Sequence, residues 1–198
     1  MIMILRIIFK IVFYYLKVSG GKEMRLNYSS EELERLLLDK GVNKSHIKKI
    51  KNEKTLDLSE FSIYYELQDE TLEYIPVNCI KTTSRVEHDI SWFDLALLPE
   101  GINLSADRLN RCMDHFKKST SLATYYNFFV DDLCRQVDPI GFEYYDKDNI
   151  YSASTGNHRT IFARVTGAPY IRAKTVKFKF NQDRYNDFIK LKGTYNTF

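Results

Sequence analysis

The chain has 198 residues, of which 44% are hydrophobic and 28% charged, and a formal net charge of +3. That content supplies one sizeable core with a small second unit and excludes a disordered chain. Cys79, Cys112 and Cys134 are odd in number and lack the close spacing of a zinc site; a disulfide framework is excluded and a reducing cytoplasm is the expected compartment.

Residues 1–18 are apolar apart from Arg6, Lys10 and Lys17, which fall on one side of a helix at 100° per residue. The segment reads in two ways. One is a basic amphipathic helix lying on a membrane surface, too short to span it and without a secretory cleavage site. The other treats Gly20-Gly21-Lys22-Glu23-Met24 as the coded trace of a bacterial ribosome-binding site, so that residues 1–23 are a mis-assigned leader and translation starts at Met24. The second reading is preferred. Arg6, Lys10, Lys17 and Lys22 against Glu23 account for the whole net charge of +3, so overall basicity does not argue for a nucleic-acid partner.

Ser29 and Glu32 form a capping box, Leu33, Leu36 and Leu37 recur at helical spacing, and Gly41 supplies the stop. A second helix is predicted from Lys44 to Lys51, with Ile47 and Ile50 on one face. A third apolar stretch, Phe61–Leu67, precedes a proline-interrupted strand over Leu72–Ile80, which marks an edge. Ser105 caps a helix through Leu109, Cys112, Met113 and Phe116. A longer helix is expected from Ser121 to Val137, closed by Pro139, with Leu122, Tyr125, Tyr126, Phe129, Val130, Leu133 and Cys134 as its stripe. The turn Asp146–Asn149 and a strand from Ile150 to Ala153 follow, then a helix through Ile161, Phe162 and Val165 to Gly167, and a strand Tyr170–Phe180. The resulting units are 24–68, a helical hairpin; 69–185, an α/β domain; and 186–198, a tail.

The run Ser154-Thr155-Gly156-Asn157-His158-Arg159-Thr160 joins the predicted strand to the predicted helix. Free backbone N–H groups at a helix start attract anions, and Gly156 lets a ligand approach the backbone. His158 and Arg159 oppose the helix dipole unless an anion offsets them. Arginine grips phosphate bidentately, and histidine donates a hydrogen bond or shuttles a proton. The plainer alternative makes Asn157 a helix cap, His158 a satisfied surface residue and Arg159 the partner of a local carboxylate.

With its flanks Asp138-Pro139-Ile140, Ile150-Tyr151-Ser152, Ala163, Gly167 and Ile171-Arg172-Ala173, this run resembles the phosphate-binding box of the ParB/sulfiredoxin superfamily over about residues 102–180. The resemblance implies a compact α/β (α+β) domain with a small mixed sheet and flanking helices, preceded by a short helical region. It also implies that Ser154–Thr160 hold the phosphates of ATP or CTP, with magnesium, in an NTP hydrolase or phosphotransferase where His158 and Arg159 act catalytically. Asn157 stands where sulfiredoxins carry their catalytic cysteine, which excludes that reaction. Thr155 replaces the aspartate of kinase-like and phage-borne members, so a metal-binding acid must come from Asp138, Glu143, Asp146 or Asp148. Tyr144, Tyr145 and Tyr151 are near enough in sequence to contact the nucleobase, Tyr144 and Tyr151 being the chosen pair.

Residues 30–54 carry a weaker likeness, with Gly41-Val42-Asn43-Lys44-Ser45-His46-Ile47-Lys48-Lys49-Ile50-Lys51-Asn52-Glu53-Lys54 similar to the turn and recognition helix of lambda-repressor-type helix-turn-helix proteins. On that reading Asn43, Lys44, Ser45, His46 and Lys48 face DNA, and the protein is a non-catalytic DNA-binding or regulatory one. A basic, solvated hairpin is the alternative.

Overall fold

The computed structural model describes residues 25–86, 89–131 and 139–195. The readings placed on residues 1–23, on Cys134 and on Asp138 lie outside them. The fold is α/β, a five-stranded mixed sheet with flanking helices. The elements are α1 (Ser30–Asp39), α2 (Lys44–Asn52), α3 (Phe61–Tyr64), β1 (Tyr65–Pro76), a 3₁₀ turn (Val77–Cys79), β2 (Ile80–Thr83), α4 (Trp92–Ala96), α5 (Ala106–Lys118), α6 (Leu122–Val130), β3 (Gly141–Tyr145), β4 (Ile150–Thr155), α7 (Asn157–Thr166), β5 (Tyr170–Phe180) and α8 (Gln182–Tyr195).

Local chemistry sets most of the boundaries. The capping box forms as read: Ser29 N–H donates to Glu32 Oε2 at 2.9 Å, and Glu32 N–H to Ser29 Oγ at 3.2 Å. Gly41 then takes φ +88°, and Asn43 caps α2 by accepting from Ser45 N–H at 2.8 Å. Three boundaries differ from the sequence reading. The chain leaves helical geometry at Asp131, so the described part of α6 stops at Val130. β1 begins at Tyr65, because Phe61–Tyr64 makes only one helical turn. Residues 186–195 of the expected tail are instead the greater part of α8, whose Tyr185 and Phe188 pack with Phe61, Tyr64, Tyr65, Tyr145, Phe178 and Phe180 in a small aromatic core.

The strand order is β1-β5-β3-β4-β2. β1 pairs antiparallel with β5, β5 parallel with β3, β3 antiparallel with β4, and β4 parallel with β2. Pro76 ends an edge strand, as its missing N–H requires. The residues after it open the opposite edge of the sheet, so Leu72–Ile80 is not one strand. Alternation along paired strands places Ile75, Phe142, Ala153, Ile171 and Ala173 on one face. That face is buried in one continuous core with Leu33, Leu37, Ile47, Ile50, Trp92, Leu109, Phe116, Phe129 and Phe162. The helices α1 and α2 of the expected hairpin therefore belong to the same core as the sheet.

A buried ion cluster ties the hairpin to α7. Arg164, only 2% exposed, donates from Nη1 to the Val77 carbonyl at 3.0 Å and lies with Nη2 2.7 Å from Glu53 Oε1. Lys81 Nζ reaches the same oxygen at 3.1 Å, and the Arg164 guanidinium sits 5.0 Å from the Trp92 ring. Burial pushes the Glu53 carboxyl up, but Arg164 and Lys81 outweigh it and hold the group below its ordinary value.

Candidate anion-binding cleft

β4 delivers the chain to Gly156, which adopts φ +72° and ψ +24° as the N-cap of α7. A side chain is excluded there twice over. The left-handed conformation disfavours any residue with a Cβ, and a Cβ would meet Ile140 Cγ1 at 2.9 Å. With glycine at the cap, no side chain caps the first turn. The helix closes its first bond from Thr160 N–H to the Gly156 carbonyl at 3.0 Å, so the amides of the first turn are directed outward at the helix start.

Facing that turn is the outer side of α5. Arg108, Arg111, Cys112 and His115 line a cleft of about 380 Å³ together with Phe128 of α6 and Gly156, His158 and Arg159. Three guanidinium groups therefore border one cavity with a helix start, and none of the described lining residues is a carboxylate. Arg111 is paired one turn back along its own helix with Asp107. The Cys112 thiol is pushed up to about 12 by burial, against the pull of Arg159 and Arg111, and stays protonated at neutral pH. Sequence had assigned Cys112 to an apolar stripe; it also lines the cleft with the arginines.

His158 has a defined task. Its Nε2 accepts the Ser105 backbone N–H at 2.9 Å, which joins the start of α5 to the start of α7. A main-chain N–H can only donate, so the neutral ring carries its proton on Nδ1. Burial, helped by Arg108, Arg85 and Arg111, lowers the imidazole to about 4. Such a group is a poor proton shuttle at neutral pH. Because the folded value lies below the unfolded value of about 6.5, the unfolded chain binds more protons between the two. Stability from this site is complete above about pH 6.5 and is lost as the pH falls towards 4. In urea titrations His158→Gln should flatten the rise of stability across that window, by up to about 3 kcal/mol. A wild-type slope unchanged by the substitution would remove His158 as its source. His46 and His115, also lowered by burial, contribute to both proteins and cancel in the comparison.

The structure brings together only part of the predicted box. Gly156, His158 and Arg159 line the cleft. Thr155 donates its hydroxyl to the Pro139 carbonyl at 3.0 Å, and the Ser154 carbonyl accepts from the Ser84 hydroxyl at 3.1 Å. Thr160 is fully buried, its hydroxyl 3.3 Å from the Gly156 carbonyl. Asn157 is 3% exposed, with Oδ1 making no hydrogen bond. Tyr144 and Tyr151 meet as cross-strand neighbours, with tilted rings whose centroids lie 4.6 Å apart, at the end of β4 away from Gly156. Five residues of strand put them roughly 16 Å off, and neither lines the cleft.

The described acids offered for a metal, Glu143, Asp146 and Asp148, have other partners. Glu143 accepts from the Tyr145 hydroxyl, Asp148 from the Tyr65 hydroxyl, and Asp146 from the N–H groups of Lys147 and Phe180. Among the described residues no group of three or more His, Cys, Asp or Glu side chains is placed to hold a metal ion.

In the hairpin, Asn43 is the α2 cap and also accepts from the Ser45 hydroxyl at 2.7 Å. His46 turns inward and donates from Nε2 to the Arg164 carbonyl at 2.9 Å, against Gly167. Lys44 and Lys48 remain exposed. No helix among the described residues is long and apolar enough to cross a membrane.

Arg108, Arg111 and His115 escaped the sequence reading although their signal was present. They recur at i, i+3 and i+7 beside the apolar stripe of Leu109, Met113 and Phe116, which makes a cationic stripe along the boundary of the buried face. Comparisons with family models, curated proteins and solved structures return no match to this chain.

Proposed function

We propose that the chain is a nucleotide-binding module that grips the phosphates of ATP or CTP between α5 and the first turn of α7. The observation that carries this is the convergence of Arg108, Arg111 and Arg159 with a glycine-capped helix start on one cavity. Each guanidinium offers a planar pair of donors matched to phosphate oxygens, and the helix start adds main-chain donors and a favourable dipole. The resemblance of Ser154–Thr160 to the ParB/sulfiredoxin box points the same way.

The geometry favours binding over catalysis. His158 is engaged with Ser105 and neutral, so it positions the turn that meets the phosphates, and Arg159 supplies charge. Magnesium, where it takes part, arrives on the nucleotide's own phosphates.

Isothermal titration of the full chain with ATP and CTP, each with and without magnesium, tests the reading. Binding that weakens with added salt is the expected result. Absence of heat with every nucleotide, alongside salt-sensitive binding of duplex DNA that Lys44→Ala and Lys48→Ala weaken, would replace it with the DNA-binding reading.

A further inference from the structure

The cleft changes character along α5. Arg108 lies near the helix start, within electrostatic reach of His158. Arg111 and Cys112 follow one turn on, and His115 comes last. There the His115 ring meets Phe128 of α6, with centroids 4.3 Å apart and planes inclined by 40°. Both rings line the cavity. Seven residues of helix separate Arg108 from His115, about 10 Å along the axis. One end is therefore cationic with main-chain donors, and the other is walled by two flat rings. A nucleotide has that same polarity and comparable length, and a cavity of about 380 Å³ lies within the range of small-molecule sites.

We infer that the His115–Phe128 pair seats the nucleobase of a nucleoside polyphosphate whose phosphates lie at Arg108, Arg111, Arg159 and the first turn of α7. This rests on the nucleotide-phosphate reading and adds where the base goes. Tyr144 and Tyr151 cannot serve the same ligand, because β4 carries them to the other end of the sheet. The imidazole, lowered by burial and by Lys118, is neutral at pH 7 and presents a ring face without a charge to solvate. Stacking recognises the π-face common to all bases, so the seat favours larger bases without reading their edges.

Titration calorimetry on the full chain with ATP, CTP and inorganic tripolyphosphate separates the two claims. ATP is expected to bind about tenfold tighter than tripolyphosphate, with CTP between them. His115→Ala and Phe128→Leu should each bring ATP towards the tripolyphosphate affinity while leaving tripolyphosphate itself unchanged. Unchanged tripolyphosphate binding also shows an intact cleft in each variant. Equal binding of ATP and tripolyphosphate by the wild type, or a preference that survives both substitutions, overturns the base seat alone. Failure of both ligands to bind overturns the phosphate reading and the seat with it.

Discussion

Replacing Arg108 and Arg159 together by alanine is expected to lower the affinity for ATP and for tripolyphosphate by at least about 100-fold, since each charge-assisted hydrogen bond contributes roughly 1.5–3 kcal/mol. The two arginines approach the cavity from different helices, so a single loss leaves the other in place and the double variant is the decisive one. Each single variant should lose about tenfold or more. Titration calorimetry measures the loss, and far-ultraviolet circular dichroism confirms that the variants keep their fold. Lys44→Ala with Lys48→Ala, on exposed positions of α2, serves as the matched removal of two cations elsewhere and should leave nucleotide affinity within about twofold, the residue of long-range attraction under salt screening. A double arginine variant that binds as the wild type does would mean that the cleft is not the site.

The second large effect concerns stability. Arg164→Met should destabilise the chain by about 3 kcal/mol, because it leaves the Glu53 carboxylate half-buried without its closest counter-charge and the Val77 carbonyl without its donor. Lys81 still reaches Glu53, which keeps the loss at the lower end of the range for a broken buried pair. Adding Glu53→Gln to Arg164→Met should cost little more, since the second substitution removes the charge that the first stranded. Urea unfolding of the two single variants and the double variant measures the coupling. Additive losses would show that the two residues act independently. Glu53, whose folded value lies below the ordinary carboxylate one, stabilises above about pH 4.5 and loses that contribution as the pH falls through the folded value. Its window opens at the acid end of that of His158 and extends below it, so acid titration distinguishes the two sites.

What sequence showed of this fold is what local chemistry determines. Ser29 with Glu32, Ser105, Gly156 and Gly167 fix helix ends through bonds to near neighbours and were readable as boundaries or turns; Asn43, read as a DNA contact, is also a cap. Pro76 was readable as an edge for the same reason. That the chain then crosses to the far edge of the sheet depends on which strands fill the space between, and no local signal carries it. The site divides along the same line. Gly156, His158 and Arg159 stood out because they share one strand-to-helix turn. Arg108, Arg111 and His115 gain their role only when α5 is laid against that turn by the Ser105–His158 bond, between residues distant in the chain. Tyr144 and Tyr151 show the converse. Nearness in sequence suggested nearness in space, but an extended strand moves away by about 3.3 Å per residue. Arg164 and Glu53, each unremarkable alone, meet only because α2 packs against α7.

The outer strand of the sheet has a consequence for the chain among its own copies. β1 is twelve residues long and forms one edge of the sheet, where an open row of main-chain groups invites another strand. It carries Glu66, Asp69, Glu70 and Glu73, and its register slips between Leu67 and Glu70. Glu66, Glu70 and Glu73 are met by Arg184, Lys174 and Lys177, so a second strand arriving at this edge would find ion pairs and a discontinuous ladder. The edge that closes the sheet on this side thus offers a second copy of the strand an interrupted template rather than a continuous one.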